Sequence, residues 1–205
     1  MKLSDQTYPW SDDSDHHSDL SYLLTPAAQT RYVVAAHFVK GCEHIVEIGG
    51  FKSPISGFLT YTPKSVLVLD PLIKEYHADR LKGLPCRVDH VAVPFQEYAI
   101  ELRDYTYGLV ILGVSIKHFS DDEQIQNAQW AKLDDLVKRA TVTVLECSLG
   151  WPRSVDAAKR LTDLSEITTT LQFDLDLSGN PGMNAEQSRR RFFVLRPSRN
   201  VDPDR

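Results

Sequence analysis

Apolar residues in this chain gather into short, nearly continuous runs, and the segments between them begin and end with turn chemistry. The runs are His44–Ile48 ("HIVEI"), Ser65–Asp70 ("SVLVLD"), Cys86–Val93 ("CRVDHVAV"), Tyr107–Val114 ("YGLVILGV") and Ala140–Cys147 ("ATVTVLEC"). Short runs without strict alternation predict strands buried on both faces. The segments between them predict helices. Thr25-Pro26 sets a capping hydroxyl before a proline at a helix start, and Gly41 supplies the stop. Ser53-Pro54 opens a second helix that ends before Pro63, Asp70-Pro71 caps a third that closes at Gly83, and Pro94 starts a fourth through Arg103. Ser120 and Glu123 form a capping-box pair for a long helix to Arg139, and a further helix spans Ser154–Leu164.

The chain then changes character. Glu166–Leu177 ("EITTTLQFDLDL") and Arg190–Pro197 ("RRFFVLRP") read as two β segments joined by the polar loop "SGNPGMNAEQ". Parallel neighbours need long crossover connections, so strands separated by helices predict a parallel sheet covered on both faces. A hairpin-like loop predicts a final antiparallel strand. The expected architecture is a three-layer, doubly wound α/β sheet of about seven strands. Residues 1–24 are expected to form a polar arm or lid, 25–197 a single domain, and 198–205 a polar tail.

Composition narrows the function. With 205 residues, 42% hydrophobic and 25% charged, the chain suits one globular domain. A net charge of −5 argues against broad contact with a nucleic-acid backbone. Arg189-Arg190-Arg191, the one basic cluster, is expected to be a solvated hairpin stem, with an anionic ligand contact as the alternative. Three widely spaced cysteines (Cys42, Cys86, Cys147) make neither a disulfide framework nor a metal-ligand pair. No apolar signal core and no membrane-length run occurs, so a cytoplasmic setting is expected. His16-His17, with Asp12, Asp13 and Asp15, lacks a spaced partner, and no metal site is expected there.

In an open parallel sheet, ligands bind beyond the carboxyl ends of the strands where strand order reverses. That directs attention to Glu47–Ser53, Asp70-Pro71, Val93–Gln96, Leu112–His118 and Cys147–Trp151. In the first of these, "VEIGGFKSP", Gly49 and Gly50 allow close approach of the main chain to a ligand. Asp70, about twenty residues on, is placed to accept both hydroxyls of a ribose or, alternatively, to cap its helix.

With "VEIGG", the acidic end of "VLVLDP" and the strand "YGLVILGVSIKHF", the chain from His44 to Pro197 resembles the class I S-adenosylmethionine-dependent methyltransferases, which have a Rossmann-like sheet. Glu47 and Gly49 match the family's first motif, whereas its next two glycine positions fall on Phe51 and Ser53. The resemblance implies S-adenosylmethionine as cofactor. It implies that Glu47 orders the loop or reaches the cofactor amine, and that Gly49 and Gly50 approach its methionine part. It further implies that Asp70 holds the ribose and that Phe95 and Gln96 flank the adenine. Gly113, at the end of the fourth strand, joins the expected cofactor-binding residues.

Three classes of function remain: a methyltransferase for a small-molecule acceptor, a methyltransferase-like protein that has lost catalysis and serves in binding or assembly, and another nucleotide-using enzyme on the same kind of sheet. NAD ranks below S-adenosylmethionine, because the turn reads G-G-F-K-S-P rather than G-x-G-x-x-G. His118 is the candidate general base, with an ordinary surface histidine as the alternative. Trp10 and Trp151 are candidates for an apolar acceptor wall or for plain packing. An oligomer that completes the walls of the site is left open.

Overall fold

The computed structural model describes residues 26–50, 54–71, 86–114, 119–178 and 188–198. The arm, Thr25, Phe51–Ser53, the helix expected after Pro71, His118, most of the loop after Leu177 and the last residues of the tail lie outside them. Among the described residues the helices and strands are α1 (Pro26–Phe38), β1 (His44–Ile48), β2 (Ser65–Leu69), β3 (Arg87–Val91), β4 (Tyr107–Leu112), α2 (Glu123–Arg139), β5 (Val142–Ser148), α3 (Pro152–Thr162), β6 (Ile167–Asp176) and β7 (Arg189–Pro197).

The seven strands form one sheet in the order β3-β2-β1-β4-β5-β7-β6. The β1–β2, β1–β4, β2–β3 and β4–β5 pairs are parallel, and β7 runs antiparallel to both β5 and β6. One antiparallel strand therefore enters an otherwise parallel sheet, as the hairpin-like connection predicts. Order reverses between β1 and β4, and this sets the place for a ligand crevice.

The continuous apolar runs divide by alternation into two cores. Val46, Leu109, Ile111, Leu145, Phe193 and Leu195 face α2 and α3, meeting Trp130, Leu133, Leu136, Ala157 and Leu161. Ile45, Val66, Val110, Val144, Phe192 and Val194 face α1, meeting Tyr32, Ala35, Ala36 and Val39. Side chains alternate across a pleated strand, so each run supplies both cores and three layers result.

Two expected helices are replaced by short 3-10 turns. Within the described part of the second, residues 54–62, only Ile55–Gly57 coils. Phe58 stacks on Tyr32 at 5.1 Å, and the Tyr61 hydroxyl donates to the carbonyls of Val39 and Cys42 at 2.7 and 3.2 Å. Such docking onto α1 outweighs the weak propensity of a short segment that contains Gly57. In the fourth, only Phe95–Glu97 coils. Tyr98, Ile100 and Leu102 pack partly buried on the core at a spacing of two, which suits an extended chain rather than a helix. Lys132 Nζ donates to the carbonyls of Gln96 and Tyr98 at 2.8 and 2.7 Å, and Arg139 Nη2 to that of Leu102 at 3.0 Å. These bonds from α2 satisfy carbonyls that a helix would have paired internally.

At α2 the cap is Asp122, whose Oδ1 accepts from the Ile125 N–H at 3.0 Å. Ser120, expected in that role, instead accepts from the Asp122 N–H at 3.1 Å, while its own N–H donates to Gln129 Oε1 at 2.8 Å. The α3 helix begins at Pro152, two residues before the expected start, because proline is favoured in the first turn. Among the described residues no helix is long and apolar enough to cross a membrane.

Candidate functional site

The carboxyl ends of β1, β2 and β4 bring together most of the residues singled out from the sequence. Glu47 lies in β1, paired on one side with Val68 and on the other with Val110, and is 1% exposed. Its Oε2 accepts from the Ile55 N–H at 2.7 Å, which ties the first 3-10 turn to the strand. Its Oε1 is buried without a hydrogen-bond partner among the described residues. Beyond β1 the chain turns through Gly49 and Gly50 at φ +96° and +100°. The Gly49 N–H donates to the Leu69 carbonyl at 2.9 Å, so this N–H is taken up by the sheet. A Cβ on Gly50 would lie 2.7 Å from Glu47 Cδ and Oε2 and 3.0 Å from Oε1. Glycine is therefore required here both by conformation and by the carboxyl group it covers.

Asp70 follows β2 and is 6% exposed, with its N–H donating to the Val91 carbonyl at 3.2 Å. Phe95 is also 6% exposed and packs edge-on to Phe119 at 6.2 Å, within the core shared with Trp130. Its ring thus packs in this core. Gln96 is half-buried, and its side-chain amide oxygen is buried without a partner among the described residues. Trp151 precedes α3 and is half-buried. His118 and Trp10 lie outside the described residues.

A second group had no counterpart in the sequence reading. Glu146 of β5 is fully buried and accepts from Arg31 Nη2 of α1, while Arg190 Nη1 of β7 lies 3.2 Å from its other oxygen. Arg190 is 5% exposed, so the expected solvated stem is corrected at this position. Alternation explains the difference: Arg190 shares the α1 face of β7 with Phe192 and Val194, whereas Arg191 points the other way. Arg191 reaches Asp174 across the hairpin through two bonds, at 2.7 and 2.9 Å. The Glu146 carbonyl accepts from the N–H groups of Gly113 and Val114 at 3.0 and 3.2 Å, and Gly113 adopts φ +81°. Ser154 of α3 accepts from the Ser148 N–H at 3.1 Å and donates to the Val114 carbonyl. The floor of the crevice beyond β4 is thereby fixed from β5, α1 and α3. The available signal was a glutamate inside each of two apolar strands, "HIVEI" and "VTVLECS".

Glu47 and Glu146 are both fully buried, yet neighbours set their charges in opposite directions. Burial would raise the carboxyl of Glu146, but Arg31 and Arg190 outweigh it and hold the group below its usual range. Burial pushes Glu47 well above its ordinary 4.5; the Ile55 N–H opposes this and the charge of Asp70 adds to it. Carboxyls driven apart in this way take different roles. For Glu47 the folded state binds the proton more tightly than the unfolded chain, so stability falls as pH rises from 4.5 toward the raised value. Glu47→Gln removes this titration. In chemical denaturation, the variant is expected to gain on the wild type by up to about 1.4 kcal/mol per pH unit through that window. Parallel stability profiles for the two proteins would contradict a protonated Glu47.

No family model matches the chain, and no curated protein sequence matches it. Solved structures do. N-methyltransferase NodS from Bradyrhizobium japonicum WM9, in complex with S-adenosyl-L-homocysteine, aligns over 95% of this chain and 94% of its own, with TM-score 0.64 and 14% identity. The 1,6-didemethyltoxoflavin-N1-methyltransferase of Burkholderia thailandensis, with 1,6-didemethyltoxoflavin and S-adenosylhomocysteine bound, aligns over 90% of this chain and 84% of its own, with TM-score 0.64 and 12% identity. An rRNA methylase from Streptococcus thermophilus aligns over 85% of this chain and 98% of its own, with TM-score 0.56 and 12% identity. At these identities the likeness establishes the fold, which is that of the class I S-adenosylmethionine-dependent methyltransferases.

Proposed function

We propose that this protein is an S-adenosylmethionine-dependent methyltransferase acting on a small-molecule acceptor. The observation that carries this reading is a pair of buried oxygens without partners among the described residues, on Glu47 and Gln96, at the carboxyl edge of a class I methyltransferase sheet. A buried polar oxygen without a partner is costly, and a ligand with polar groups at both places removes the cost. The cofactor has an amine at its amino-acid end and another on its adenine, so these residues fit it.

Glu47, Gly49 and Gly50 would hold the amino-acid end. Asp70 would accept from the ribose hydroxyls, Gln96 from the adenine amine above the packed Phe95, and Gly113 would line the side formed by β4. When bound, the cofactor supplies a methyl group made electrophilic by a sulfonium. The chain's own work is then to position an acceptor, exclude water and receive a proton. We assign the last role to His118, which comes after β4 in sequence. A net charge of −5 favours a small acceptor over a nucleic acid. Pro54, which has no N–H to offer a pyrophosphate, disfavours NAD.

Calorimetric titration tests the reading. S-adenosylmethionine and S-adenosylhomocysteine are expected to bind and NAD is not; no binding of either sulfur ligand at millimolar concentration would overturn it. Asp70→Ala is expected to weaken binding by about tenfold or more, the value of a lost charge-assisted hydrogen bond pair. Unchanged affinity would remove Asp70 from the ribose role. His118→Ala is expected to lose turnover of a methyl acceptor while cofactor affinity stays intact, and full activity would reject the base.

A further inference from the structure

The position of Glu47 carries more than a contact. β1 is hydrogen-bonded on both sides, so Glu47 sits on one of the most constrained strands of the sheet. One carboxyl oxygen is committed to the Ile55 N–H. The other has no partner among the described residues and stands 3.0 Å from where a Cβ of Gly50 would be, against the turn. Around Glu146, the other fully buried glutamate, two guanidinium groups supply the opposing charge. Among the described residues no cation acts on Glu47; the charged group that does is Asp70, at the end of β2, and it has the same sign. An ionised carboxylate there would be desolvated and repelled, and a ligand's ammonium would supply a counter-charge that ionises it.

We infer that binding of a ligand with a cationic amino-acid end at the Gly49–Gly50 turn expels one proton from Glu47 to solvent, making Glu47 the residue by which the site selects that charge. This rests on the cofactor reading above. The balance is simple: the O–H bond of the Glu47 carboxyl breaks, the proton passes to buffer, and the carboxylate left behind pairs with an ammonium that keeps its own protons. Between pH 5 and 7 the ligand's own groups do not interfere, since α-carboxyls titrate near 3.3–3.7 and α-amines near 7.7–8.0. A neutral nucleoside gives Glu47 no reason to ionise. Glu47 therefore separates ligands that carry the amino-acid end from those that carry only the nucleoside.

Titration calorimetry in buffers of different ionisation enthalpy reads the proton directly. With wild-type protein, S-adenosylhomocysteine is expected to release a proton, up to one per site, and its affinity to rise with pH above 5 by up to about tenfold per pH unit. 5′-Methylthioadenosine, the same nucleoside without the amino-acid end, is expected to release none and to bind with a flat pH profile. Glu47→Gln, which keeps an acceptor for the Ile55 N–H, is expected to bind S-adenosylhomocysteine without pH dependence. Binding of S-adenosylhomocysteine with no proton release, or equal release with 5′-methylthioadenosine, overturns the inference while leaving the cofactor reading standing. Failure of S-adenosylhomocysteine to bind overturns both. Should the glutamine variant not fold, the comparison of the two ligands on wild type decides alone.

Discussion

Glu146→Ala is expected to destabilise the protein by about 3–5 kcal/mol, the range for removing one partner from a buried ion pair. The expectation comes from where the charges sit. Arg31 and Arg190 are 2% and 5% exposed and reach the same carboxylate from α1 and from β7. Without it, two guanidinium groups share a low-dielectric space that no longer contains the charge between them. Arg191→Ala is the matching control, because its pair with Asp174 is 34% and 44% exposed. Solvent screening limits that loss to about 1 kcal/mol or less. Denaturant unfolding with an unchanged slope measures both, and an alanine variant of Glu146 within about 1 kcal/mol of wild type would show that the triad is not a structural hub.

Gly50→Ala is expected to impair stability and binding together. At φ +100° an L residue is strained, and its Cβ would meet the Glu47 carboxyl carbon at 2.7 Å. The carboxyl cannot retreat without giving up the Ile55 N–H, which anchors the start of the next turn. Backbone strain of this kind costs about 1–3 kcal/mol, and displacement of Glu47 adds to it. Ligand affinity should fall by at least about tenfold, the equivalent of 1.4 kcal/mol. Gly49→Ala separates the two effects. Its φ is +96°, but a Cβ there would have no neighbour within 4 Å, so it introduces strain without disturbing Glu47. Equal stabilities for the two alanine variants would contradict the crowding of Glu47 by a Cβ at Gly50.

Most of the sheet was legible because β1, β2, β4 and β5 are apolar runs whose alternate residues feed two cores, and because the hairpin-like loop set the direction of the last strand. Helices with strong ends were legible as well. Pro26 begins α1 and Arg139 ends α2, whereas α3 starts at Pro152, two residues before the expected start. The segments after Pro54 and Pro94 were not, because a proline marks where a helix can start and leaves its continuation to the later residues. Tyr61 and Lys132 bind carbonyls from distant elements, and the spacing of Tyr98, Ile100 and Leu102 already favoured an extended path. Around the site, sequence order alone located Glu47, Gly49, Gly50, Asp70 and Gln96 at the carboxyl edge. The Arg31–Glu146–Arg190 triad joins three elements far apart in the chain, so local spacing could not reveal it.

The most direct test of the site is a nuclear magnetic resonance titration of the 15N-labelled protein with S-adenosylhomocysteine. The largest amide shifts are expected at Gly49, Gly50, Asp70, Gln96 and Gly113, along the carboxyl ends of β1, β2 and β4. The β6 edge, with Thr168, Gln172 and Asp176, is expected to stay unchanged. Shifts confined to that edge, or none at saturating ligand, would contradict a cofactor site at the point where the strand order reverses.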